Sequence, residues 1–215
     1  MLDIVTLETG PLQVNTYIVG DSKSEDCVII DPGGTDWVLE TLEKKRKKCT
    51  HILLTHAHYD HIGGAESVRN ATGALICILD KEEPYLRDSR MNLAAMFWDS
   101  AFSGFHADKI LKDGEILKVA GLSFEVIACP GHTPGGASYY LRDQQVLFCG
   151  DTLFLDSYGR TDLPGGNMQD LSDTIIRRLF ILEGEIRVYP GHGEMTDLSI
   201  ERERNPIRAY GRYFS

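Results

Sequence analysis

The sequence predicts an α/β fold with a β-sandwich inside it, and two observations carry that expectation. Short, β-branched apolar runs recur at 3–6, 16–19, 27–30, 51–54, 74–78, 117–119, 123–128, 137–141, 146–148 and 187–189, each bounded by Gly, Pro, Asp or Thr. Helical spacing fits between only some of them, at 35–48, 64–70, within 82–102 and at 170–182. Some strands therefore follow one another through turns such as Gly10-Pro11 and Gly20-Asp21, and others are joined through helices. Both halves of the chain show this mixture. Two mixed sheets with helices on their outer faces would satisfy it.

Individual elements have local reasons. Residues 37–42 are amphipathic, and the run Lys44-Lys45-Arg46-Lys47-Lys48 suits the solvated last turn of the same helix, where cations meet the negative end of the dipole. In 170–182, Leu171, Ile175, Ile176, Leu179 and Phe180 form one apolar stripe. The apolar stretch 91–98, with Phe102 and Phe105, reads as a helix packed on a sheet, with a lid over a substrate as the alternative. No low-complexity tract, tandem repeat or long linker divides the chain, so one unit spanning 1–215 is expected.

The formal net charge of -10 argues against a nucleic-acid partner, which needs a basic face. The N-terminus Met1-Leu2-Asp3-Ile4-Val5 has neither a basic nor an apolar leader region, and no window approaches a membrane span. The five cysteines, Cys27, Cys49, Cys77, Cys129 and Cys149, include no C-x-x-C pair and read as small buried hydrophobes in a reducing compartment. A cytoplasmic protein with no membrane partner is expected; the oligomeric state is left open.

The chemistry concentrates at T-H-A-H-Y-D-H-I-G-G (55–64), where three of the seven histidines and an aspartate fall within six positions. His56 and His58 lie two apart in an extended segment and share a side, so they could grip one cation together. Asp60 and His61, at the first turn of a following helix, diverge and could serve a second. Gly63 and Gly64 would let the backbone pass close to that site. Three more ligand-type residues stand just past strand ends beside glycines: His132 in C-P-G-H-T-P-G-G (129–136), Asp151 in F-C-G-D-T (148–152) and His192 in Y-P-G-H-G (189–193). That is where mixed α/β sheets gather their sites. His51 and His106 fall outside this pattern and read as ordinary strand-end and loop residues.

In this order, T-H-A-H-Y-D-H, P-G-H-T-P-G, G-D-T-L-F and Y-P-G-H-G resemble the signature of the metallo-β-lactamase superfamily over nearly the whole chain. G-R-T-D-L-P-G-G (159–166) and E-R-E-R-N-P (201–206) resemble the small bacterial glyoxalase II-like hydrolases within it. The resemblance implies an αββα sandwich with the metals at one edge. It implies His56, His58 and His132 on one metal, Asp60, His61 and His192 on the other, and Asp151 bridging, with Asp60 and Asp151 the catalytic carboxylates.

Such a set leaves open coordination positions, as catalytic sites do, and suits two divalent ions, zinc foremost with iron or manganese as alternatives. A hydroxide between them would attack a thioester carbonyl of hydroxyacylglutathione type, and a thiolate leaves without a dedicated acid. No G-x-S-x-G motif points to a covalent intermediate. Arg160 is a candidate anchor for a substrate carboxylate, with pairing to Asp156 or Asp162 as the alternative. Fuller-length glyoxalase II enzymes continue into a helical glutathione-binding domain, whereas this sequence ends shortly after His192, so other thioesters, lactones and esters stay open. A mononuclear iron persulfide dioxygenase, which G-R-T-D also resembles, is the competing enzyme. A metal-dependent binding module and a β-lactam hydrolase are weaker alternatives.

Overall fold

In the computed structural model, residues 1–97 and 102–211 are described. The first sheet has the order β1 (Leu2–Thr9), β2 (Val14–Asp21), β3 (Asp26–Ile30), β4 (Lys48–Leu53), β5 (Leu75–Leu79) and β6 (Lys109–Leu111). Its first three strands pair antiparallel and its last four parallel, so the sheet is mixed. Strands β7 (Ile116–Val119), β8 (Leu122–Ala128), β9 (Ala137–Leu141) and β10 (Val146–Gly150) begin the second sheet. A hairpin, β11 (Leu153–Phe154) and β12 (Ser157–Tyr158), separates them from β13 (Arg187–Pro190) and β14 (Thr196–Asp197). The order is β14-β13-β10-β9-β8-β7, parallel only between β10 and β13.

Alternation decides which side chain faces which layer. In β2 and β3, Tyr17, Val19, Val28 and Ile30 point between the sheets and meet Phe124, Tyr139 and Phe148 from the second. Their neighbours Ile18, Cys27 and Ile29 point outward onto α1 (Asp36–Lys45) and α3 (Ala65–Thr72), through Val38, Leu42 and Val68. The outer face of the second sheet, with Tyr140, Leu147 and Val188, packs on α4 (Met168–Thr174) through Leu171. Short helices α5 (Leu198–Arg204) and α6 (Ile207–Gly211) complete that layer with Leu198 and Ile207. This αββα arrangement is the expected fold class. All five cysteines are buried and unpaired, as hydrophobic fill.

Several expected boundaries move. The α1 helix ends at Lys45, because Arg46 adopts the left-handed conformation and turns the chain. Lys47 then donates from Nζ to the carbonyls of Asp21 and Ser24, and Lys48 opens β4, so the basic run is divided among three tasks. In 82–102 no α-helix forms among the described residues, only single 3-10 turns at Glu83–Arg87 and Ala94–Met96. Pro84 and the left-handed Leu93 interrupt the pattern, and the Trp98 end of that expectation lies outside the described residues. The α4 helix starts earlier than expected because Asn167 caps it, accepting from the N–H groups of Gln169 and Asp170, and it continues as a π-turn over Ile175–Leu179. No described helix is long and apolar enough to cross a membrane.

Candidate metal centre

The site lies at one edge of the sandwich, where loops leave the ends of β4, β8, β10 and β13. Polar cross-links hold those loops together. The Ala137 N–H donates to the Thr55 carbonyl at 2.7 Å and the Tyr139 hydroxyl to the Leu54 carbonyl at 2.6 Å, joining the two sheets. Asn15 on β2 donates through its backbone to Gly191 and through its side chain to Pro190 and Gly193, fixing the loop that presents His192. Glu82, fully buried, accepts from the N–H of Ala57 at 2.9 Å and of Gly135 at 2.8 Å, tying the His56 loop to the His132 loop.

All seven predicted ligand residues converge. His56 Nε2 and His132 Nε2 stand 3.1 and 3.0 Å from His58 Nδ1. His61 Nε2 is 3.4 Å from Asp151 Oδ1 and 3.8 Å from Asp60 Oδ2. His192 Nε2 lies 3.1 Å from Asp60 Oδ2 and 3.8 Å from Asp151 Oδ2, and His132 Nε2 lies 3.6 Å from the same Asp151 oxygen. His56, His58 and His132 form one set able to hold a cation, and Asp60, His61 and His192 another; His56, His61 and Asp151 form a third between them, with donor atoms mutually within 4.8 Å in each. Asp60 and His61 diverge from His58 because α2 (Tyr59–Ile62) starts between them.

The outer nitrogens decide where the lone pairs point. The Thr55 hydroxyl donates to Asp31 Oδ2 at 2.5 Å, so its oxygen accepts from His56 Nδ1–H at 3.1 Å. His132 Nδ1–H donates to the Arg160 carbonyl at 2.7 Å, and His61 Nδ1–H to Asp31 Oδ2 at 2.9 Å. In the neutral form of each ring, with that proton outside, Nε2 turns a lone pair inward. His61 Nε2 and Asp151 Oδ1 are buried and make no hydrogen bond among the described residues. Buried orphans are rare, and inward lone pairs around a carboxylate fit a divalent cation better than they fit one another.

Charge divides the site. Burial, then the neighbouring His61, hold His56 well below the ordinary imidazole range, and burial with His132 and His61 takes His58 to about 3. Burial also opposes a charged His61, but Asp151, Asp60 and Asp31 together outweigh it and hold its pKa well above the usual value. His192 is raised in the same sense, the hydrogen bond to Asp60 and the charge of Asp151 outweighing burial. Asp151 resists protonation despite its burial because His61, His132 and His192 surround it, and Asp60 is lowered for the same reason.

Glycine is required where backbone crosses the site. A Cβ on Gly191 would stand 2.2 Å from Asp151 Oδ1 and 2.6 Å from His61 Cε1, so no other residue fits between β13 and the acid. Gly64 is needed instead for packing: its Cβ would meet the backbone of Gly34 at 2.6 Å, away from the ligands. His51 stays on β4 with Thr50, and His106 is exposed and paired with Glu83, both apart from the cluster.

Arg160 takes the paired arrangement. Its side chain is 62% exposed and donates from Nε and Nη2 to both oxygens of Asp162 at 2.7 Å, and its carbonyl is what reaches the site through His132. Sequence reasoning missed Asp31 and Glu82. Asp31 obeys the very rule that found Asp151, an acid just past a strand and beside Pro32-Gly33-Gly34, but it stands apart from any histidine motif.

Comparison with known proteins agrees with this geometry. The model of the metallo-beta-lactamase superfamily matches residues 9–192. A probable metallo-hydrolase of Bacillus subtilis, YqgX, is 35% identical over 94% of this chain and 95% of its own. The hydroxyacylglutathione hydrolase GloC of Haemophilus influenzae is 32% identical over 96% and 98% respectively. Among solved structures, the B3 metallo-beta-lactamase BLEG-1 superposes with a TM-score of 0.88 at 35% identity, covering 96% of this chain and 98% of its own. A di-iron-bound form of TTHA1623 gives 0.80 at 33% (94% and 98% covered), and ETHE1 from Myxococcus xanthus 0.77 at 30% (95% and 83%). The chain belongs to the metallo-beta-lactamase superfamily and is a metal-dependent hydrolase.

Proposed function

We propose that the protein is a thioester hydrolase, related in chemistry to hydroxyacylglutathione hydrolysis, with His56, His58, His132 and Asp151 holding one divalent cation and Asp60, His61, His192 and Asp151 a second. The observation that carries this reading is the inward convergence of seven donor residues from four loops, with Asp151 Oδ1 and His61 Nε2 orphaned between the two sets. When bound, such cations make a water acidic near neutral pH and polarise a carbonyl oxygen. Asp60 and Asp151 stay ionised and offset the added charge, and the outer partners Thr55, Asp31 and the Arg160 carbonyl keep the imidazoles in one tautomer and one orientation. In the reaction the oxygen of water bonds to the acyl carbon and the C–S bond breaks with its electron pair going to sulfur. A carboxylate, a thiol and a proton are released.

The similarity to GloC supports a thioester as substrate, and the similarity to the di-iron form of TTHA1623 supports iron as an alternative to zinc or manganese. A cytoplasmic location suits the five unpaired thiols, and a small-molecule substrate rather than nucleic acid or a membrane suits the acidic surface. The set His56, His61 and Asp151 favours one second reading, a mononuclear iron oxygenase acting on a persulfide, because two histidines and a carboxylate form a facial iron site. The two separate on one experiment: protein loaded with zinc, manganese or iron is given acyl thioesters and persulfides under air and under nitrogen. Hydrolysis at equal rates in both atmospheres, with two metals per chain, supports the thioesterase; oxygen consumption with one iron per chain overturns it.

A further inference from the structure

The catalytic residues occupy one part of a cleft of about 490 Å³, and the rest of its lining is of a different kind. Leu12, Leu93, Met96, Phe97, Phe154 and Leu163 reach it from four separate segments. Leu12 and Met96 are 51% and 67% exposed, a costly placement for large apolar groups unless something covers them. Arg160 is the sole guanidinium or ammonium group lining the cleft among the described residues, and Asp162 engages it bidentately, so its charge is already answered.

Leu93 holds a left-handed backbone, φ 67°, which a branched side chain disfavours. The neighbouring Asn92 anchors this turn. Fully buried, Asn92 donates from Nδ2 to the Tyr85 carbonyl at 2.8 Å, accepts from Ala94 N–H at 2.9 Å, and its carbonyl accepts from Tyr59 N–H at 2.7 Å at the start of the helix carrying Asp60 and His61. A strained leucine is thus fixed against the ligand helix and turned into the cleft, where a glycine would rest more easily.

We propose that the cleft receives its thioester through an uncharged, apolar arm, an aliphatic or aryl chain, rather than through the carboxylates of a peptide-like thiol, and that Leu93 is a specificity-determining residue for that arm. This rests on the thioesterase reading above and narrows its substrate class. The apolar lining supplies the affinity, and the Arg160–Asp162 pair withholds the cation that a glutathione carboxylate would need.

The test uses metal-loaded protein and two sets of measurements. In the first, acetyl to octanoyl thioesters of N-acetylcysteamine are compared with glutathione thioesters of the same acyl groups. The expected result is a rise in kcat/KM of roughly fourfold per added methylene until the cleft is filled, with each glutathione thioester slower than its uncharged partner. Leu93→Gly keeps the backbone and removes the wall, so the gain per methylene flattens; Asp162→Asn frees Arg160, so the glutathione thioesters gain on the uncharged ones. In the second, calorimetric titration with N-octylacetamide, an uncleaved and uncharged amide, shows binding that N-ethylacetamide lacks. Faster cleavage of glutathione thioesters with no chain-length dependence overturns the proposal, and so does failure of the octyl amide to bind. Binding of the octyl amide without cleavage of any thioester instead overturns the thioesterase reading and leaves the apolar cleft standing.

Discussion

The two halves of the metal centre are built on opposite electrostatic plans. Around His58, three imidazoles meet with no carboxylate of their own; burial strips the charge from His56 and His58, and neutral hydrogen-bond partners, the Thr55 hydroxyl and the Arg160 carbonyl, orient two of the rings. Around His61, carboxylates outnumber histidines: Asp60 and Asp151 face the imidazole inside while Asp31 holds it from outside, and both His61 and His192 cling to protons. The difference teaches that similar ligand types, drawn partly from one seven-residue stretch, compete with protons on unequal terms. The first half is ready for a cation over a wide pH range; the second must give up protons first.

Removal of the shared acid should have the largest effect. Asp151→Ala is expected to lose both cations and bring hydrolysis to background, with the far-ultraviolet dichroism of the sandwich unchanged; two metals per chain by elemental analysis, with normal turnover, would refute the sharing of Asp151. Asp31→Asn should act mainly on the second half, which loses a direct contact to His61, whereas the first feels the change only through the Thr55 hydroxyl. Its amide N–H would meet His61 Nδ1 and force the ring proton onto Nε2, so affinity for the second cation should fall about 10–100-fold by competition titration while the first is retained. Equal weakening of both cations would erase the distinction between the halves.

Glu82→Gln probes the first half. One of the two N–H groups, of Ala57 or Gly135, would lose its acceptor, and a loss of about 1–3 kcal/mol in unfolding free energy is expected by denaturant titration. Unchanged stability would mean the two histidine loops hold without the clamp. The pH response should be smaller still. Protons and cations compete for the same nitrogens, and the raised pKa values of His61 and His192 keep their protons to higher pH. As pH falls from about 8 to about 5, metal content by dialysis should therefore drop from two per chain to one, the first-half cation persisting. Simultaneous loss of both would show that the opposed pKa shifts do not govern binding. His106→Ala, 70% exposed and outside both halves, should change stability by less than about 0.5 kcal/mol and leave metal content alone.

The legibility of the site follows from distance along the chain. Residues 56–61 announce a cation because four ligand-type side chains on one turn have few other ways to be satisfied, and Asp151, His132 and His192 stand out beside glycines at strand ends. Asp31 and Glu82 carry no such mark. Each earns its place through partners 24 to 53 residues away, Thr55 and His61 for one, Ala57 and Gly135 for the other, and no local spacing encodes those contacts. Arg160 shows the reverse case: its motif is conspicuous, but the side chain turns to Asp162 two residues on.

By itself the sequence pointed to two mixed sheets under outer helices and singled out seven ligand-type residues, because β-branched apolar runs and ligand chemistry at strand ends are local properties that survive without coordinates. The tertiary structure alone decided that burial disfavours charge on His56 and His58 while the acids favour it on His61 and His192, which buried acids position the rings, and which apolar residues line the cleft beside them. Those outcomes depend on burial and on distances between loops, and both exist only once the two sheets have packed.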